Sequence, residues 1–142
     1  MSESGAGSDV VGMKLRAEKR NGYYVLNGHK YWITNGPDAD TMVVYAKTEP
    51  EKKSRGITAF IVDTTRAGFH RGKTEPKLGI RASATCEIEF QDYVARAEDV
   101  LGEVAGNVGL EAGSSCFRGC TGAAHAAAAV QRVYQVRSSW TR

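Results

Sequence analysis

Apolar and polar positions alternate in short runs through the first hundred residues of this chain. Met13, Leu15 and Ala17 fall between Lys14, Arg16 and Glu18, the period-two pattern of a half-buried strand. Residues 23–26 and 29–34 flank Asn27-Gly28, a dipeptide suited to a tight two-residue connection, so a hairpin is predicted with its turn there. Thr41–Lys47 and residues 57–62 are richer in Val, Ile and aromatics and predict more deeply buried strands. The polar stretch 49–55 between them reads as a loop. Cys86, Ile88 and Phe90 alternate with Thr85, Glu87 and Glu89, giving one inward and one outward face. Gly68, Gly72, Pro76 and Gly79 punctuate the interval before them. Short strands separated by frequent turns predict an all-β barrel or sandwich.

The pattern breaks near Gly102, which divides the chain into a β domain, 1–102, and a tail, 103–142. Gly, Ala and Ser dominate 103–129, and no acidic residue follows Glu111, whereas Arg118, Arg132, Arg137 and Arg142 do. The alanines of 123–136 favour a helix, but they bury little area. A poorly ordered tail is therefore expected, with a docked helix as the alternative.

Composition narrows the function classes. The chain has 142 residues, 42% hydrophobic and 25% charged, which is room for one domain of ordinary globular make-up. A net charge of +3 is too small to argue for nucleic acid. No apolar run approaches the roughly 20 residues that span a bilayer, and no secretory signal is visible at the start. Cys86, Cys116 and Cys120 read as reduced thiols. Cys116 and Cys120 are spaced almost like zinc ligands, with His125 nearby, but a second ligand pair is missing, so no metal site is assigned.

Two segments carry candidate chemistry. In an extended strand Trp32 and Thr34 project to the same side, with apolar Ile33 facing the barrel interior. An indole beside a small hydroxyl suits a planar heteroaromatic ligand; the ordinary alternative is a core tryptophan. In Gly5-Ala6-Gly7-Ser8-Asp9, glycines permit close backbone approach to a pyrophosphate, with amides forming an anion nest. The ordinary alternative there is a frayed terminus. The glycine run is not the dinucleotide fingerprint, because no strand precedes it.

Taken as an ordered set, the motifs resemble the middle domain of the acyl-CoA dehydrogenases. The set runs from Met1-Ser2-Glu3 and Ala6-Gly7-Ser8-Asp9 through Asn27-Gly28-His29-Lys30-Tyr31-Trp32-Ile33-Thr34-Asn35-Gly36. It continues with Ser54-Arg55-Gly56-Ile57 and Lys77-Leu78-Gly79-Ile80-Arg81, and closes at Val100-Leu101-Gly102. Ser8-Asp9-Val10-Val11 and the stretch 35–40 look most like the isovaleryl-CoA branch of the family. The resemblance implies a β-barrel domain lying between two helical domains, with FAD against it. Trp32, Ile33 and Thr34 would flank the isoalloxazine, with the Thr34 hydroxyl near N5. Met1, Ser2, Gly7 and Ser8 would contact the ring edge and the pyrophosphate. Ser8 would also touch the acyl-CoA substrate, and Ser54 and Arg55 would lie near the CoA nucleotide; a guanidinium is in any case a strong phosphate partner. The implied reaction is α,β-dehydrogenation of a short, branched acyl-CoA, with electrons passed to an electron-transfer flavoprotein. Complete members are homotetramers, in the mitochondrial matrix of eukaryotes or the bacterial cytoplasm.

The chain departs from this pattern after Gly109. It is expected to lack both helical domains, and the family's glutamate-arginine pair does not occur. Glu111 reads as a solvated acid, so no residue is assigned a catalytic role. The acid-free tail has the composition of a shifted reading frame or mispredicted exon. The chain alone is expected to bind FAD weakly and not to turn over. An acyl-CoA oxidase fragment and a non-catalytic β-barrel binding module remain as alternatives. Arg81 reads as structural or interfacial, and His29 as exposed beside a turn.

Overall fold

The computed structural model describes residues 1–102, 104 and 105. The expectations for the rest of the tail, including Glu111, Cys116, Cys120 and His125, lie outside the described residues.

Among the described residues seven strands form one sheet: β1 (Arg16–Arg20), β2 (Tyr23–Thr34), β3 (Thr41–Lys47), β4 (Ile57–Asp63), β5 (Phe69–Thr74), β6 (Thr85–Arg96) and β7 (Val100–Leu101). Their order across the sheet is β5-β6-β2-β1-β3-β4-β7. Neighbours pair antiparallel, except for a single parallel match between Arg16 of β1 and Lys47 of β3. The alternation expected along 13–18 is realised: Met13, Leu15 and Ala17 are buried and the residues between them are exposed. Cys86, Ile88 and Phe90 face inward from β6, each 2% exposed or less. In β4 every residue but the last is buried, which accounts for its unbroken apolar character.

The sheet curls until its two halves meet. The Tyr24 ring of β2 stands edge-on to Phe60 of β4, with centroids 5.2 Å apart. Phe69, Phe90 and Tyr93 form a second edge-to-face series on β5 and β6. The Tyr93 hydroxyl accepts from the Asp63 amide at 3.0 Å and donates to the Asp63 carbonyl at 3.2 Å, joining β6 to the end of β4. Arg66, after β4, pairs with Asp99, which is 7% exposed and lies just before β7. These cross-links make the sheet barrel-like, with one main core inside.

Two local expectations are corrected. The hairpin turn is Asn21-Gly22, not Asn27-Gly28: Arg20 pairs directly with Tyr23. Asn21 and Gly22 both have positive φ, 45° and 88°, as the favoured two-residue turn demands. Asn27 and Gly28 lie inside β2. There the Asn27 side chain accepts from the Asp92 amide at 2.8 Å and donates to the Asp92 carboxylate at 3.0 Å, so its polar groups stitch an irregularity between β2 and β6. The second correction is β5. This strand falls in the interval read only as punctuation, because Phe69 alone of its six residues is buried.

Candidate functional site

The two segments singled out by composition lie side by side. Glu3 and Ala6 exchange backbone hydrogen bonds of 2.9 and 3.1 Å, folding residues 3–6 into a tight turn. Asp9 then caps a short 3-10 turn, Val10–Gly12, by accepting from the Gly12 amide. This folded segment is laid along β2, where the Tyr31 amide donates to the Ser2 carbonyl at 2.9 Å. Met1 and Ser2 are thus neighbours of Trp32. On its other side the segment packs Ala6 and Val10 into a small cluster with Met13, Tyr45 and Ile57. Ile57 directly follows the 3-10 turn Pro50–Gly56, which carries Ser54 and Arg55. Both are exposed. The cluster brings their turn to the glycine segment.

Trp32 and Thr34 both reach solvent, but not by the simple alternation expected. Leu26 and Lys30 point inward, the latter 1% exposed, and continuing that parity would bury Trp32 and Thr34. Between Lys30 and Ile33, however, β2 carries one more residue than β6: Lys30 pairs with Ile88 but Ile33 with Cys86. Such a bulge re-aims the side chains that follow it. Trp32 takes the strain, at φ 58°, and the residue stands 65% exposed. Ile33 turns in against the main core; its side chain packs beneath the platform rather than facing outward.

The loop after Thr34 is firmly held. Asn35 donates to the Ala84 carbonyl at 2.8 Å and Gly36 to the Ile33 carbonyl at 3.1 Å. Gly36 has no room for a side chain: a Cβ there would sit 2.7 Å from Cys86 Sγ and 2.9 Å from the Ile33 oxygen. Burial raises the pKa of the Cys86 thiol, which suits a packing role rather than a reactive one. Arg71 of β5 donates to the carbonyls of Gly36 and Ala39 and to the Thr64 hydroxyl, at 3.2, 2.8 and 2.7 Å. Its guanidinium lies 5.3 Å from the Phe69 ring centre. The Arg81 loop is exposed, with Leu78 and Ile80 beside it.

The electrostatic centre under the platform is a pair not singled out from the sequence. Lys30 Nζ lies 2.7 Å from Glu3 Oε1, and both side chains are almost wholly buried. Burial opposes the Glu3 charge, but hydrogen bonds from Lys30 and from the Lys14 and Leu15 amides outweigh it and hold the carboxyl below its ordinary pKa. Burial pulls the Lys30 ammonium down, against the attraction of Glu3. The signal available in the sequence was parity: Lys30 falls on the inward side of β2 with Leu26. Among the described residues no group of His, Cys, Asp or Glu is arranged to hold a metal ion.

The sequence model described as "Acyl-CoA dehydrogenase, middle domain" matches residues 1–93. The chain belongs to the acyl-CoA dehydrogenase family. This middle domain is 57% identical over 104 residues to the mitochondrial isovaleryl-CoA dehydrogenase of Pongo abelii, a match covering 72% of the chain and 25% of the relative. The structure of butyryl-CoA dehydrogenase from Megasphaera elsdenii superposes with a TM-score of 0.71 at 45% identity, over 73% of this chain and 27% of that one. The structure of the FAD complex of PigA does so with a TM-score of 0.71 at 35% identity, over 73% and 27%. The chain thus spans about a quarter of the length of the relatives it matches. The all-β middle-domain expectation agrees with these findings.

The residues of this middle domain fit the family's flavin. Trp32 and Thr34 are both exposed at the end of β2. Beside it, Gly5 and Gly7 have open space where a Cβ would stand, which admits close approach of a ligand to the backbone.

Proposed function

We propose that this chain forms the flavin-contacting part of an FAD-dependent acyl-CoA dehydrogenase whose substrate is a short, branched acyl-CoA. The observation that carries the reading is Trp32. A large aromatic side chain held mostly in solvent from a left-handed backbone position gains little more from packing than the backbone costs. Such strain is characteristic of ligand-binding positions. Trp32 and Thr34 would hold the isoalloxazine, with Ile33 supporting them from the core side. Met1, Ser2, Gly7 and Ser8 would supply the ring-edge and pyrophosphate contacts, Ser8 also facing the acyl thioester. Ser54 and Arg55 would meet the CoA nucleotide, where a guanidinium matches phosphate. Bound FAD supplies a two-electron acceptor for the substrate's β-hydrogen. This chain's residues position and shield it, and none is assigned as the base.

The similarity to isovaleryl-CoA dehydrogenases supports the substrate class. An electron-transfer flavoprotein as oxidant, a homotetrameric assembly, and a mitochondrial or bacterial cytoplasmic location belong to the same proposal, in the context of a longer protein. The test is titration of the 142-residue chain with FAD, followed by the flavin's fluorescence and visible absorption. Saturable, weak binding that falls on Trp32→Gly is expected, because a partial site cannot recover the affinity of a complete one. Binding that is unchanged in this variant overturns the reading. Arg55→Ala is expected to weaken CoA binding without altering FAD binding.

A further inference from the structure

The Glu3–Lys30 pair ties together three parts of the chain that are distant in sequence. Lys30 Nζ donates to Glu3 Oε1 at 2.7 Å and to the Met1 carbonyl at 3.3 Å, and it rests 3.8 Å from Met13 Sδ. The Glu3 carboxylate also accepts from the Lys14 and Leu15 amides. One carboxylate therefore fastens the first residues to the approach to β1 and to the middle of β2. With side chains 2% and 7% exposed, the pair is shielded from water. Among the described residues no buried polar side-chain atom lacks a partner.

An apolar pair of similar volume would stabilise such a site about equally, because desolvation consumes most of the attraction. What the ion pair adds is register: a carboxylate with fixed amide and ammonium donors accepts one placement of the segment, where an apolar contact would tolerate sliding. The placement it fixes is Met1–Ser2 alongside Tyr31, at the β2 bulge from which the Trp32 indole projects.

We propose that Glu3 and Lys30 are positioning residues of the flavin site, locking the Met1–Ser8 segment against the β2 bulge so that its backbone groups and the Trp32 indole are presented as one preassembled platform. The inference rests on the flavin reading above. Neither residue touches the flavin; both act through the segment they hold.

The test compares the parent chain with Lys30→Met and with Glu3→Gln/Lys30→Met. The single variant leaves a buried carboxylate alone and is liable to unfold. The double variant keeps the side-chain volumes and strands no charge, and its glutamine carbonyl can still accept from one of the Lys14 and Leu15 amides, which bond to separate carboxylate oxygens in the parent. Far-UV circular dichroism checks that it folds. In the folded double variant, FAD is expected to bind about tenfold more weakly or worse. At saturation, the visible circular dichroism of the bound flavin is expected to change, a signature that a purely structural pair would not move. Exchange of the Tyr31 amide, which reports the Ser2 contact, is expected to accelerate while β3–β4 amides stay protected. A folded double variant with parental affinity, flavin spectrum and Tyr31 exchange overturns the positioning role alone. A parent chain that binds no FAD up to millimolar concentration overturns the flavin reading and this inference with it.

Discussion

Trp32→Gly separates a residue kept for packing from one kept for a ligand. Trp32 is 65% exposed, so folding covers about a third of it. A fully buried tryptophan covers roughly 200 Å², and a third of that, at about 25 cal/mol per Å², is worth about 2 kcal/mol as an upper bound. Against this stands the backbone. At φ 58° a residue with a Cβ costs about 1–2 kcal/mol, which glycine recovers, less about 0.5–1 kcal/mol for its freer unfolded chain. The terms nearly cancel, and the expected net loss is about 1 kcal/mol, or about 4–8 °C in a domain of this size. Flavin affinity, by contrast, loses the ring contact, worth about 1–3 kcal/mol where aromatic side chains stack on bases, or roughly fivefold to 150-fold. Thermal melts and FAD titrations on the same sample measure both. A melting point lowered by about 15 °C or more would show that the indole is a core element, and the argument from strain would fall.

The remaining predictions concern the frame around the platform. Gly36→Ala forces a methyl group against Cys86 Sγ and the Ile33 carbonyl and should cost about 1–3 kcal/mol, read from the urea midpoint. Tyr93→Phe removes the hydroxyl that accepts from the Asp63 amide and should cost about 1–3 kcal/mol, with unfolding cooperative as before. The Glu3 pKa is lowered in the folded chain, so its contribution is fully present above the unfolded value of about 4.5 and is lost as pH falls through the folded value. Between pH 5 and 3, denaturation midpoints of Glu3→Gln/Lys30→Met should therefore fall less steeply than those of the parent.

The sequence disclosed most about positions where periodicity and burial coincide. The buried faces at 13–17 and 86–90 and the buried strand Ile57–Asp63 follow directly from their patterns; Thr41–Lys47 is a strand as expected but not a deeply buried one, since only Val44 and Ala46 of its seven residues are buried. The hairpin turn was misplaced because Asn-Gly occurs twice. Local propensity cannot separate a turn from a dipeptide whose side chain is engaged by a strand 65 residues away. For the candidate site, the exposure of Trp32 and Thr34 was expected on an argument from alternation that the bulge invalidates. The bulge depends on a count of residues in β6 opposite, which β2 alone does not carry. Strand β5 escaped notice because five of its six residues are exposed. The buried Lys30 was hidden by its charge, since lysine is read as surface until its partner is known.

Strand β5 closes one margin of the sheet, and among the described residues β6 is the one strand that pairs with it. Its exposed residues include His70, Arg71 and Lys73, and its register with β6 slips between Arg71 and Thr74. A second copy laid against this rim would set Arg71 and Lys73 against like charges along an uneven line, so edge-to-edge stacking into fibres is discouraged by the same irregular, polar composition that concealed the strand.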